Sequence, residues 1–218
     1  IIGSASKKSC HEIINYDDML HRAFSVLLFS ENNQLLVQQR SQYKILFPYV
    51  WTNTCCSHQI YSKNHSELGY NDIGDSDELL KLRVNGTKQA CIDRLNFELG
   101  ISKHDIEMDD IQFVTRILYK KECDTLWGEH ELDYILFIRK NVELNVNENE
   151  IKDVKYVDKL ELESMMNDGN IMKSPWFTIL YEHFLMNWWD NLDIIMKSNH
   201  VLDKNIHNFR DKFNLESL

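Results

Sequence analysis

Apolar and polar positions along the chain change period several times, and each change predicts an element. Residues 22–30, Arg22-Ala23-Phe24-Ser25-Val26-Leu27-Leu28-Phe29-Ser30, form an apolar, partly β-branched run. It ends at the turn signal Glu31-Asn32-Asn33, after which residues 34–40 resume a strand pattern, so the segment reads as a β-hairpin. Val50-Trp51-Thr52 begins another extended piece, which runs into Asn53-Thr54-Cys55-Cys56-Ser57-His58. Residues 60–76 mix turn formers with few periodic apolars and read as a long surface loop. In residues 87–99, Ala90, Cys91, Leu95 and Phe97 fall near helical spacing, with Gly100 where a C-cap glycine belongs. Residues 112–120 and 131–139 alternate as strands do, and 154–157 is a shorter strand. Asp158 and Glu161 match a capping box opening the next helix. A long C-terminal helix is expected from 176 to about 196, with Pro175 at its first turn. Its aromatics Phe177, Tyr181, Phe184, Trp188 and Trp189 read as core packing, with Trp176 set apart. This order of strands and helices predicts an α+β, or α/β/α layered, domain.

Composition narrows the class. The 218 residues, 43% hydrophobic and 27% charged, suit one domain over 1–218, because 7 Gly and 2 Pro leave no linker at which to divide it. A net charge of −10 argues against nucleic acid or an anionic membrane as partner, while a local cation cluster remains able to hold one anionic small molecule. Five cysteines without a disulfide-framework spacing suit a reducing compartment. No window reaches the roughly 18 apolar residues of a membrane span, and Ile1-Ile2-Gly3-Ser4 lacks a signal-peptide pattern. The cytoplasm is the expected location. The terminal Glu216-Ser217-Leu218 faintly resembles a peroxisomal address and leaves that compartment open.

Two stretches carry candidate chemistry. Cys55, Cys56 and His58 offer a reactive thiol, a partial metal site or a plain loop, and taken alone the loop is the better reading. In Trp127-Gly128-Glu129-His130-Glu131-Leu132-Asp133-Tyr134, Glu129 and Glu131 share a face if the segment is extended and repel unless a cation lies between them. A solvated strand face is the simpler account of that cluster alone. Should His11, His21, His58, Glu129 and Glu131 converge, they would form an N₃O₂ set suited to a five- or six-coordinate divalent ion; their scatter along the chain does not establish convergence. Arg94 and Glu98, one helical turn apart, read as a surface ion pair worth roughly 0.3–0.5 kcal/mol.

His21-Arg22-Ala23-Phe24-Ser25, Gln38-Gln39-Arg40-Ser41, Thr52 through His58, Glu98-Leu99-Gly100, Trp127 through Tyr134 and Ser174-Pro175-Trp176-Phe177, in this order, closely resemble the type I isopentenyl diphosphate isomerases over roughly residues 7 to 192. The resemblance implies a Nudix-like α/β/α sandwich with a mixed sheet, an N-terminal extension, a core over about 20–192, a long C-terminal helix and a C-terminal extension over 193–218. It also implies the allylic shift that interconverts isopentenyl and dimethylallyl diphosphate. By position, Cys56 matches a thiol on one face of the allylic unit, Glu131 the carboxylate on the other, Tyr119 the phenol beside it and Trp176 the indole facing the carbocation. Cys55 matches no catalytic position. His11, His21, His58, Glu129 and Glu131 match the ligands of a divalent ion, magnesium, manganese or zinc. Lys7, Arg40, Lys44 and Arg94 match diphosphate-binding positions, and Glu98 the ligand of a second magnesium carried in with the substrate. The expected partner is that isoprenoid diphosphate alone, with the chain acting as a monomer. The competing enzyme class is a Nudix-type diphosphate hydrolase, disfavoured because Leu95 and Phe97 stand where its acids would. A metal-stabilised binding module is the non-enzymatic alternative.

Overall fold

The structure is a computed structural model and describes residues 3–60, 77–198 and 202–211. A short helix, α1 (Lys7–His11), leads into strand β1 (His21–Phe29), then β2 (Leu35–Arg40), β3 (Trp51–Thr52) and β4 (Cys55–His58). Helix α2 (Asp77–Leu99) separates these from the long strands β5 (Ile111–Glu122) and β6 (Gly128–Arg139) and from β7 (Ile151–Val157). The chain then becomes helical through α3 (Lys159–Asn167), α4 (Pro175–Leu180), a π-helical turn over Tyr181–Leu185, α5 (Met186–Asp190) and α6 (Leu192–Lys197), and returns to the sheet as β8 (Ile206–Asn208).

β1 organises a mixed sheet. β6 runs parallel to it along its whole length, from His21 opposite Glu131 to Phe29 opposite Arg139. On its other side β4 is antiparallel, with Ala23 opposite His58 and Ser25 opposite Cys56. β5 pairs antiparallel with β6 and brings Tyr119 opposite Glu131. Directly opposed residues share a face, and faces alternate along each strand. The register therefore gathers His21, Cys56, His58, Tyr119, Glu129 and Glu131 on one face.

Both faces of the sheet are covered. Leu27, Phe29, Ile117, Ile135 and Phe137 pack with Phe177, Leu180, Leu185 and Trp189 of the C-terminal helices. Phe24, Val26, Leu28, Tyr134, Leu136 and Ile138 pack on the other side with Val84, Cys91, Leu95 and Leu99 of α2. Burial on both faces is why residues 23–29 read as a nearly continuous apolar run. Each such Leu or Phe contributes roughly 1.5–3 kcal/mol.

The expected layered α+β architecture is present, with four differences in detail. The hairpin strands meet only at their turn, Phe29 opposite Leu35, because β4 takes the rest of the edge of β1 while β3 and β7 take β2. The helix expected over 87–99 starts at Asp77, so residues 77–86 are helical and Gly86 lies within it; residues 61–76 of the expected loop lie outside the described residues. Phe97 is exposed rather than part of the core. The long C-terminal helix is interrupted by the π-turn and ends at Asn191, whose Nδ2 donates to Asn187 O at 2.8 Å and competes with the helical ladder. The capping box at Asp158 and Glu161 forms as expected. The C-terminal extension adds β8 parallel to β5, which covers that edge of the sheet.

Gly100 ends α2 at φ +66°, and the segment after β6 closes on this helix end, with Asn145 N donating to Leu99 O at 2.8 Å and Asn147 N to Glu98 O at 2.9 Å. A Cβ at Gly100 would lie 2.2 Å from Asn145 O. Gly100→Ala should therefore cost at least about 2 kcal/mol in urea unfolding, from left-handed strain and displaced backbone together. A change within about 0.5 kcal/mol would show that this helix end is not under the stated constraint.

Candidate active site

A cleft with about 450 Å³ of empty space, part of it open to solvent, lies where β1 and β2 diverge. Its walls include Cys56, Tyr119, Glu131 and Trp176 together with Lys7, Arg40, Lys44 and Arg94, so the expected reactive and cationic residues reach one cavity. Glu98 stands behind two of the cations.

His11 at the end of α1, His21 at the start of β1, His58 at the end of β4, and Glu129 and Glu131 on β6 each present a ligand atom, all within 4.8 Å of one another. His11 Nδ1–H donates to Lys7 O at 2.5 Å and His21 Nδ1–H to Met19 O at 2.9 Å. A carbonyl can only accept, so the inward Nε2 of each neutral ring carries a lone pair. His11 Nε2 lies 3.0 Å from Glu129 Oε2, and His21 Nε2 lies 3.8 Å from that oxygen and 3.6 Å from Glu131 Oε1. These buried nitrogens and Glu129 Oε2 have no hydrogen-bond partner. Lone pairs set against a carboxylate repel without a cation, so the group fits a divalent ion, and its N₃O₂ composition suits five or six ligands better than a closed tetrahedral zinc site.

Burial drives the pKa of His11 and His58 down to about 4, which leaves both rings neutral, as metal ligands must be. Burial also opposes charge on His21, but Glu131 and Glu129 outweigh it and its pKa rises. For the two carboxylates burial favours the proton. The His21 and His58 rings beside it nevertheless hold Glu131 well below its usual range, whereas burial and the charge of Glu131 push Glu129 well above. His58 Nε2 is 2.7 Å from Glu131 Oε1, and Tyr119 Oη–H donates to Glu131 Oε2 at 2.5 Å. Burial, then Glu131, keeps the Tyr119 phenol protonated.

Across the cleft, burial and then Asp133 push the Cys56 thiol up to about 12, so it carries its proton at neutral pH. Trp176 Nε1–H points at Cys56 Sγ, 3.1 Å away, and Ser25 Oγ lies 3.5 Å from the same sulfur. Phe47 packs edge-on against the indole with centroids 5.6 Å apart. Cys55, one residue earlier on β4, faces the α2 side and donates from Sγ to Glu98 Oε2 at 3.4 Å.

Arg94, Lys44 and Arg40 are already engaged. Arg94 Nη2 donates to Glu98 Oε1 at 2.6 Å and Glu150 Oε2 at 2.8 Å, and Lys44 Nζ bridges the same two carboxylates, 3.0 Å from Glu98. The Arg94–Glu98 pair is thus a buried network, not the surface pair its spacing suggested, with Glu98 only 1% exposed. Arg40 donates from Nε to Phe47 O at 3.0 Å and from Nη2 to Leu46 O at 2.8 Å. Burial, then the charge of Lys44, lowers the pKa of Lys7.

Sequence reasoning missed Glu150, which no motif marked. It also passed over Asp133, although alternation places it on the face of Glu129 and Glu131. Asp133 is buried, accepts from Ser25 Oγ at 2.7 Å, and is pushed well above its usual pKa by burial and then Glu131.

Burial opposes ionisation of Glu98, but Lys44 and Arg94 prevail and bring its pKa from 4.5 to about 2. The unfolded chain therefore protonates this group first: its stabilising contribution is complete above pH 4.5 and is lost as pH falls toward about 2. Urea unfolding from about pH 5 down to about pH 3 should show falling stability, with a shallower fall in Glu98→Gln; an unchanged slope in the variant would refute the assignment.

No protein-family model matches the chain. The Gibberella zeae isopentenyl-diphosphate delta-isomerase IDI1 is 45% identical over 193 residues, covering 88% of this chain and 72% of that protein. Isopentenyl-diphosphate Delta-isomerase 1 of Bos taurus is 47% identical over 196 residues, 88% of this chain and 81% of the relative, and the Schizosaccharomyces pombe isopentenyl-diphosphate delta-isomerase is 43% identical over 199 residues, 90% and 82%. Among solved structures, a NUDIX hydrolase from Alicyclobacillus acidocaldarius superposes with a TM-score of 0.54 at 8% identity, over 84% of this chain and 97% of that one, which identifies the fold as Nudix-like. With relatives at this identity over most of both chains, the protein belongs to the isopentenyl-diphosphate delta-isomerase family.

Proposed function

We infer that the protein interconverts isopentenyl and dimethylallyl diphosphate, a step of isoprenoid biosynthesis. The observation that carries this reading is a protonated thiol, a Tyr119–Glu131 pair and an indole lining one cleft beside a cluster of cations. Shifting the double bond adds a proton to the terminal carbon of the alkene, leaves a tertiary carbocation and removes a proton from the carbon two positions away. Cys56 and the Glu131–Tyr119 pair exchange those protons from opposite faces. Reversibility makes each group an acid in one direction and a base in the other. The Trp176 face stabilises the cation between the two steps, and a cleft walled by Trp176, Phe24 and Leu46 limits the water that would trap it.

His11, His21, His58, Glu129 and Glu131 would hold a divalent ion, magnesium, manganese or zinc, whose charge fixes Glu131 and tunes its proton affinity. Lys7, Arg40, Lys44 and Arg94 bind the diphosphate, with Glu98 placed to meet a magnesium that accompanies it. A Nudix-type hydrolase is the weaker reading, because Leu95 is buried in the core and Phe97 is an exposed ring under Arg94. No helix among the described residues is long and apolar enough to cross a membrane. We read the chain as a monomer in a reducing compartment, expected to be the cytoplasm, with no nucleic-acid partner.

In an isomerisation assay, Cys56→Ala and Glu131→Gln should each lower kcat by at least about 10³-fold while substrate still binds, whereas Lys44→Ala and Arg40→Ala should chiefly raise KM. Full turnover in either of the first two variants would remove the proposed chemistry. Metal removal by chelator should lower both the melting temperature and turnover, restored together by added ion. A loss of stability without loss of turnover in the folded protein would make the His/Glu site purely structural.

A further inference from the structure

Asn53 belongs to one of the motifs above yet has no part in the mechanism as stated. It is completely buried, at the turn between β3 and β4. Its Nδ2 donates to Val26 O at 2.9 Å and Cys55 O at 3.1 Å. Those carbonyls fix which way the amide faces, since a flipped amide would set its oxygen against two other oxygens. Oδ1 is thereby turned toward the cleft, where it accepts from Thr52 Oγ1 at 2.9 Å, Cys56 Sγ at 3.2 Å and Trp176 Nε1 at 3.1 Å. One oxygen thus joins the thiol on β4 to the indole on α4.

We propose that Asn53 is a positioning residue for the allylic shift, its amide fixing the Cys56 thiol and the Trp176 indole relative to each other. This rests on the roles given to Cys56 and Trp176 above. A thiol S–H turns freely about its C–S bond, and apart from the 3.1 Å contact of Trp176 Nε1 with Cys56 Sγ, α4 is tied to β3 through Ser174, whose N donates to Trp51 O at 2.9 Å and whose Oγ lies 2.8 Å from Thr52 Oγ1. Neither Ser174 contact sets the direction of the S–H or the tilt of the indole. Asn53 Oδ1 touches both groups. Misplacing reacting groups by about 1 Å can cost about 10²-fold in rate.

Its neighbour Thr54 provides the control. Thr54 is equally buried, donates from Oγ1 to Leu36 O at 2.6 Å and accepts from Leu28 N at 2.8 Å, so it joins β1 to β2 without touching a reacting group. Asn53→Ala, Asn53→Asp and Thr54→Val would be compared in the full chain, each shown to be folded by circular dichroism and assayed well below its melting temperature. Both Asn53 variants should lower kcat by about 10²-fold, with KM and the inhibition constant of inorganic pyrophosphate within about threefold, while Thr54→Val should lower the melting temperature and leave kcat unchanged. Asn53→Asp, nearly isosteric, decides the matter if Asn53→Ala does not fold. A second readout is the indole N–H signal of Trp176, one of five tryptophans, identified in a nitrogen–proton correlation spectrum by its loss in Trp176→Phe. That signal should shift in Asn53→Asp and stay in place in Thr54→Val. An Asn53→Asp protein with unchanged kcat, or an unmoved Trp176 signal, would overturn the proposal. Full turnover in Cys56→Ala would instead remove the reading on which it rests.

Discussion

Two carboxylates on one strand, both facing the same way and both buried, set the terms for the rest of the site. Glu129 and Glu131 are each about 6% exposed. An unpaired charge in such a place costs several kcal/mol, and two like charges aggravate each other. The fold answers by converging His11, His21 and His58 from separate elements and by placing Tyr119 Oη on Glu131 Oε2. Because His11 and His21 commit Nδ1–H to backbone carbonyls, the arrangement would be completed by a cation and not by protons alone. Structure and chemistry then share one cause. An ion bound there would make the carboxylates tolerable and, on the proposed reading, would also keep Glu131 oriented at the alkene.

The cleft separates two kinds of electrostatics. On the side of Glu98, two cations and two carboxylates close a ring of bridged charges, Lys44 and Arg94 against Glu98 and Glu150, and on the proposed reading a diphosphate would compete with those carboxylates for the two cations. Toward Trp176 the proton-bearing groups are neutral at physiological pH, a thiol held at about 12, a phenol held high and an indole, with the Arg40 guanidinium as the charge nearest the ring. A carbocation needs this division. On the proposed reading, charged residues would anchor the distant phosphates, while the reacting carbons would meet groups that release or accept a proton without also offering water.

What could be read from the sequence follows the range of the interactions. Local patterns were legible: the capping box at Asp158, the left-handed Gly100, and the alternation that put Glu129 and Glu131 on one face. Convergence of His11, His21 and His58 with them depends on parallel pairing of β1 with β6 and antiparallel pairing of β1 with β4, long-range registers that no local period encodes. Family resemblance supplied those residues where spacing did not. The hairpin failed for a similar reason: its turn was legible, but Thr54 Oγ1 bonds both Leu28 N and Leu36 O and lets the strands part beyond the turn. Apolar periodicity persists across the π-turn and Asn191, so the interruption of the C-terminal helix was hidden. Glu150 was hidden because its partners lie far away in sequence.

The loop between β2 and β3 shows how the two halves of the cleft depend on each other. Phe47 and Tyr49 adopt φ +47° and +63°, conformations that cost bulky residues roughly 1–2 kcal/mol each. Arg40 holds this turn through the carbonyls of Leu46 and Phe47, and Gln39 Nε2 holds Tyr49 O at 2.8 Å. The strained turn places the Phe47 ring edge-on against Trp176 and brings Lys44 to Glu98. Arg40 also lies 5.7 Å from the centre of the Trp176 ring. A guanidinium so near the indole competes with a carbocation for the same π face, unless its charge is drawn elsewhere. On the proposed reading a bound diphosphate would supply that alternative, so phosphate binding and cation stabilisation would be linked through Arg40: the substrate's anionic end would draw the competing charge away as its alkene reaches the indole.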